Sequence, residues 1–148
     1  MPQQSFMETA LAEACAAKSA GEVPVGCAIV RAGAVIASAH NRTLTDRDPT
    51  AHCELLAIRA AAKTLGTERL TDCDLYVTLE PCTMCAAAIS FARIRRLYYG
   101  TPDPKGGAVD NGVRFFGTPT CHHQPEVYGG IGEGEAATLL MDFFRERR

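Results

Sequence analysis

Phe6, Met7, Ala10, Leu11, Ala14 and Ala17 return at the three-and-four spacing of one helix face, which predicts an amphipathic helix ending near Gly21. The pattern then shifts to two short β-rich runs, Val25 to Val30 and Val35 to Ala39, with Arg31-Ala32-Gly33 between them as a hairpin turn. After the polar stretch NRTLTDRDPT, Asp48-Pro49-Thr50 reads as a helix start with Thr50 as the cap. The helix AHCELLAIRAAAKTL follows and stops near Gly66, with Leu55, Leu56, Ile58 and Ala62 as its buried face. Asp74 to Leu79 is a strand of buried character that runs directly into Pro81, and Thr83 to about Phe91 is an alanine-rich helix. Arg95 to Tyr99 is the next strand, closed by Gly100. Residues 101–125 form a Gly- and Pro-rich loop that Phe115 and Phe116 could anchor. Glu126 to Gly129 is a last short strand, and Ala136, Leu140, Phe143 and Phe144 mark a C-terminal amphipathic helix.

Strands alternating with helices imply an α/β sandwich whose functional site lies at strand C-terminal ends. A chain of 148 residues suits one domain, taken as residues 1–148, and 47% hydrophobic residues give it an ordinary globular core. No apolar run is long enough to cross a bilayer, so no membrane association is expected. The N-terminus lacks the basic start and apolar centre of a secretory signal, and the expected location is cytoplasmic. Seven cysteines are an odd number, which argues against a disulfide framework; Cys15, Cys27, Cys73 and Cys121 read as small buried apolar residues.

A formal net charge of −2 does not mark a nucleic-acid binder, but its distribution is uneven. Residues 1–92 carry 7 basic and 10 acidic side chains, residues 93–148 carry 8 and 7. The basic clusters Arg93, Arg95, Arg96 and Arg145, Arg147, Arg148 suit either solvated helix ends or a polyanion footprint.

The chemistry concentrates in two segments. Cys82 and Cys85 are two thiols at i and i+3, on one face of a first helical turn, where the helix N-terminus favours the thiolate that a metal needs. His52 adds a nitrogen, and a Cys₂His set fills three corners of a zinc tetrahedron, leaving the fourth for water. Glu54, two residues from His52, can reach that water without ligating the metal, which lowers the water's pKa from about 16 toward about 7–9. Alone, the CxxC could be a redox dithiol and the His-x-Glu a solvated helix face; together they point to a metal. Asn41 is either a turn former or a reader of a base edge. His122 and His123 point apart, so a second metal is not expected, and His123 is a candidate for a substrate phosphate or ribose; His40 reads as structural.

The pattern H-x-E…P-C-x-x-C is a known signature of zinc-dependent nucleobase deaminases. Beyond it, EVPVG (Glu22 to Gly26), NR (Asn41-Arg42), DPTAH (Asp48 to His52), LYVTLEPC (Leu75 to Cys82), Asp103-x-Lys105-x-Gly107 and DFFRERR resemble the bacterial tRNA-specific adenosine deaminases, from about residue 6 to the end. The resemblance implies a cytidine-deaminase-like α/β/α sandwich in three layers, with a central mixed sheet of about five strands. It also implies a homodimer with one Zn²⁺ per subunit. The implied reaction is hydrolysis of adenosine to inosine at the wobble position of a tRNA anticodon stem-loop. Carried over, His52, Cys82 and Cys85 hold zinc and Glu54 shuttles protons. Asn41 would hydrogen-bond the flipped base, Asp103 would lie near the nucleotide's sugar, and Lys105 is a further substrate-binding candidate. Arg145, Arg147 and Arg148 would touch the RNA backbone. Cys53 stands where the family usually has alanine and is expected to point away from the site; Gln124 and Gly106 replace an expected arginine and threonine. The same chemistry on a free base or nucleoside, guanine or cytosine in type, is the alternative; a non-catalytic zinc-stabilised RNA-binding protein is the third reading.

Overall fold

A computed structural model describes the backbone of residues 2–147 and the side chains of residues 6–147; Arg148, the last of the expected RNA contacts, lies outside them. Strand β3 (Cys73–Leu79) is buried along nearly its whole length because it occupies the middle of a five-stranded sheet of order β2-β1-β3-β4-β5. β1 (Gly26–Arg31) runs antiparallel to both β2 (Ala34–His40) and β3, while β3, β4 (Arg96–Thr101) and β5 (Glu126–Tyr128) are parallel. The β1–β2 hairpin turns on Ala32 and Gly33, whose φ values of 51° and 79° are both left-handed, as the tight turn matching strand twist requires.

Side-chain alternation along the strands divides the core in two. Ile29, Leu75, Val77, Leu97 and Tyr99 face α2 (Cys53–Leu65) and α3 (Thr83–Ala92). Val30, Tyr76 and Tyr98 face α1 (Pro2–Ser19) and α4 (Glu133–Glu146), meeting Met7, Ala10, Leu11 and Ala136. The result is the expected α/β/α sandwich. At Gly26 a Cβ would collide with Ala10 O and Ala14 N, so α1 lies directly on the backbone of β1.

Three local expectations give way. Thr50 does not cap α2: Asp48 Oδ1 accepts its amide at 2.8 Å and its hydroxyl at 2.7 Å, which folds the DPT segment as a turn and delays the helix to Cys53. The fully buried seam of α2 is Cys53, Glu54, Ala57 and Ala61, small residues that let the helix approach, while Ile58 and Ala62 pack at its margin. Cys15 and Phe144 are exposed rather than buried, and Cys121 is half-buried. Cys27 and Cys73 are buried as expected, and His40 is tied to Glu13 through Nδ1 at 2.8 Å. Phe116 anchors the long loop in the core through a single 3₁₀ turn (Phe115–Gly117).

Candidate metal centre

Parallel β3 delivers the chain from the sheet into α3, and the hairpin's return delivers it into α2, so the two helix N-termini meet at the strand ends. His52 is the N-cap of α2 (φ −77°, ψ 147°) and Cys82 the N-cap of α3 (φ −75°, ψ 176°); neither side chain caps its own helix. Cys85 follows in the first turn of α3. His52 Nδ1 stands 3.6 Å from Cys82 Sγ and 3.5 Å from Cys85 Sγ, and all the ligand atoms lie within 4.8 Å of one another. Tetrahedral zinc, with Zn–S of about 2.3 Å and Zn–N of about 2.0 Å, gives nitrogen–sulfur edges of about 3.5 Å. The donor set and its spacing fit the ion.

One thiol of the pair is biased toward the thiolate. The hydrogen bond from Cys85, reinforced by His52, holds Cys82 down to about 4 against the burial that opposes it, and that same bond pushes Cys85 upward. Cys82 in turn raises His52.

Glu54 is buried beside the cluster, and that burial pushes its carboxyl above the ordinary range. Cys53 turns into the core, as expected of a residue one step from His52, yet it is not remote: its Sγ donates to Glu54 Oε1 at 3.2 Å. Asn41 Oδ1 accepts the Cys53 amide at 2.9 Å, so this side chain fixes the start of α2.

Two buried glutamates that the sequence did not single out organise the loops on either side. Glu22 accepts the Thr45 amide at 2.7 Å, the Thr45 hydroxyl at 2.6 Å and the Leu44 amide at 3.2 Å. Burial alone would raise its carboxyl, but these bonds outweigh it and the net shift is downward. Glu80, at the β3–α3 junction, plays the same part for residues 103–111 and is likewise lowered, its hydrogen bonds overcoming burial.

A cavity of about 820 Å³ opens where β3 and β4 end against α4, lined by Asp103, Lys105, Leu79, Thr101, Phe144 and Arg147 among others, but by none of the three cluster residues. It is a groove along α4 leading from the strand ends. Asp103 Oδ1 accepts the amides of Lys105 at 3.2 Å and Gly106 at 3.0 Å, a tight turn that presents both residues at the rim. The Arg147 guanidinium sits 3.8 Å above the Phe143 ring, and Arg145 pairs with Asp142 at 2.9 Å on the exposed side.

His123 is not brought to the site. Its Nε2 is 2.7 Å from Ile94 O and its amide donates to Ser90 Oγ at 3.3 Å, beyond the far end of α3, which makes it part of the loop's anchorage. The Arg95 and Arg96 cluster is neutralised by Asp74 and Glu126 at the opposite ends of the strands. These two arginines stand at the start of β4, not at the helix end expected for them.

A His/Cys/Cys cluster on two helix N-termini of an α/β/α sandwich, with a buried glutamate two residues past the histidine, defines a zinc-dependent deaminase. Residues 1–101 match the model of the cytidine and deoxycytidylate deaminase zinc-binding region, and the chain belongs to that family. It is 63% identical over 143 residues to the tRNA-specific adenosine deaminase of Agrobacterium fabrum, covering 97% of this chain and 94% of the relative. A solved structure from studies of A-to-I editing by tRNA:A34 deaminases superposes with a TM-score of 0.91 at 62% identity, covering 92% of this chain and 99% of that one. A guanine deaminase from Bacillus subtilis superposes with a TM-score of 0.64 at 44% identity, over 66% of this chain and 63% of that one. The resident metal is zinc, and His52, Cys82 and Cys85 are the one group of its kind among the described residues.

Proposed function

We propose that this chain deaminates adenosine to inosine at the wobble position of a tRNA anticodon, as a zinc-dependent hydrolase. The observation that carries the chemistry is the buried Glu54 beside the His52, Cys82 and Cys85 cluster. The near full-length 63% identity to a tRNA-specific adenosine deaminase supports the substrate. The likeness to a guanine deaminase is lower and spans two thirds of the chain, so a free purine is the lesser reading.

His52 Nδ1, Cys82 Sγ and Cys85 Sγ would hold the zinc, which supplies the Lewis acidity that makes a water nucleophilic at neutral pH. Glu54 accepts the proton that this water gives up as it attacks C6. The carboxyl then passes the proton to the adjacent ring nitrogen and assists the departing ammonia. Burial pushes the Glu54 carboxyl above the ordinary range, the direction that suits a group which must both take and return a proton. Asn41 fixes the start of α2 and turns its remaining amide group to the base. Asp103 and Lys105 at the groove rim contact the nucleotide's sugar and phosphate, and Arg147 with Arg145 follows the RNA backbone along α4. The chain works as one catalytic domain over residues 1–148 and as a homodimer, in the cytoplasm where its tRNA substrate resides.

The deciding assay incubates zinc-loaded protein with an anticodon stem-loop bearing adenosine at the wobble position, and separately with free bases and nucleosides. Inosine in the RNA is the expected product; ammonia from a small molecule alone would transfer the chemistry to the second reading. Cys82→Ser should lose both zinc and turnover, and full zinc occupancy by metal analysis would remove Cys82 from the ligand set.

A further inference from the structure

The β3–α3 junction buries a full charge two residues before Cys82. Glu80 is 2% exposed, a depth at which a carboxylate without partners would be strongly disfavoured. Five donors converge on it. Oε1 accepts the Asp103 amide at 2.9 Å and Asn111 Nδ2 at 2.7 Å; Oε2 accepts the amides of Val109 at 3.0 Å, Asp110 at 2.9 Å and Asn111 at 3.1 Å.

Every one of these donors belongs to residues 103–111, the segment that carries Asp103 and Lys105 to the groove rim. The loop closes so tightly on the carboxylate that a Cβ on Gly107 would fall 2.5 Å from Glu80 Cδ and 2.6 Å from Asp103 O. The Ala108 amide adds a bond to Pro81 O at 2.9 Å. A single side chain, covalently adjacent to the strand end that supplies the thiols, therefore serves as the template of the loop.

We infer that Glu80 is a positioning residue for substrate: its carboxylate fixes where Asp103 and Lys105 stand relative to the metal cluster, and so governs how tightly the nucleotide is held. The inference rests on the reading of Asp103 and Lys105 as substrate contacts. It separates two consequences of the same fold. A bond that only stabilised the protein would change the melting temperature and leave KM alone. A bond that sets the rim raises KM and leaves the proton transfers at Glu54 intact.

Glu80→Gln is the informative substitution. The amide keeps the volume, but whichever way it turns, its NH₂ faces either the two donors at Oε1 or the three at Oε2. The loop must move away from one set. With zinc-loaded protein and the substrate that the wild type turns over, RNA or free base, KM should rise about tenfold while kcat stays within about threefold. Zinc should remain at one per chain, and the amides of Val109 to Asn111 should exchange hydrogen faster. Glu80→Asp, which keeps both oxygens, should recover part of the KM. Asn111→Ala removes one donor without touching the charge and should raise KM in the same direction by a smaller factor; it carries the test if Glu80→Gln does not fold.

An unchanged KM in the presence of faster exchange would overturn the inference. So would a fall in kcat or zinc content with KM unchanged, which would make Glu80 a support of Cys82. The wild-type substrate panel decides the function separately, because the Glu80 result is read as a ratio to wild type on whichever substrate is accepted.

Discussion

Glu54 and Glu22 are both buried glutamates, and their surroundings push them in opposite directions. Around Glu22, backbone and hydroxyl donors from Leu44 and Thr45 surround the carboxylate, and its pKa falls despite the burial. Around Glu54 burial dominates, one thiol is the side-chain donor, and the pKa rises. The difference is between a charge that the fold uses and a charge that the fold tolerates. A group satisfied by fixed donors has no reason to give up or receive a proton; a group left short of donors is ready to exchange one with substrate.

Removing each carboxylate should therefore give opposite phenotypes. Glu54→Gln should lower kcat by roughly 10²- to 10⁴-fold, the usual contribution of a positioned acid–base group, while zinc content holds and the melting temperature is equal or higher. Retained turnover in the zinc-loaded variant would break the comparison at its functional end. Glu22→Gln should instead cost about 1–3 kcal/mol of stability, because donors that now meet an NH₂ lose their acceptor. Denaturant unfolding at neutral pH reads it directly.

The pH dependence follows from the sign of the Glu22 shift. Its folded value lies below the unfolded one, near 4.3, so the stabilisation is complete above that pH and vanishes as pH falls through the lowered folded value. The gap in melting temperature between wild type and Glu22→Gln should be widest near neutrality and should close in acid; a constant gap would show that Glu22 contributes by packing rather than by charge. The smallest effect is expected from Thr45→Val, which deletes the Thr45 hydroxyl donor and should cost about 1 kcal/mol with no change in zinc content.

The metal cluster was legible in the sequence because its chemistry is carried by side-chain identity at fixed spacing. His52, Cys82 and Cys85 need only two helix starts to meet, and both starts are marked by proline and by a change of hydrophobic period. The layers of the fold were legible for the same reason, since the short β-rich runs of β1, β3 and β4 and the helical stripe of α1 are properties of the residues themselves. Glu22 and Glu80 were not, because their partners are backbone amides, joined at Glu22 by threonine hydroxyls and at Glu80 by the Asn111 side chain, and amides look alike in any sequence. The one available signal was a charge set inside an apolar run, as in VTLEPC. The start of α2 was misplaced because Asp48 competes for Thr50, and its buried face was misassigned because large residues draw attention where small ones make the contact. The placement of His123 depended on how a long loop closes, which no local pattern encodes.

Both helices that bear the cluster begin on residues whose side chains are committed to the ligand set, His52 for α2 and Cys82 for α3. Serine or aspartate at either place would be the ordinary route to a firmer helix start, and here it would dismantle the centre. Thermostability engineering is thus barred from two of the most rewarding positions in the molecule. It has to turn to sites such as Ala32, held at φ 51° in the hairpin, where asparagine or glycine would relieve backbone strain at a distance from the chemistry.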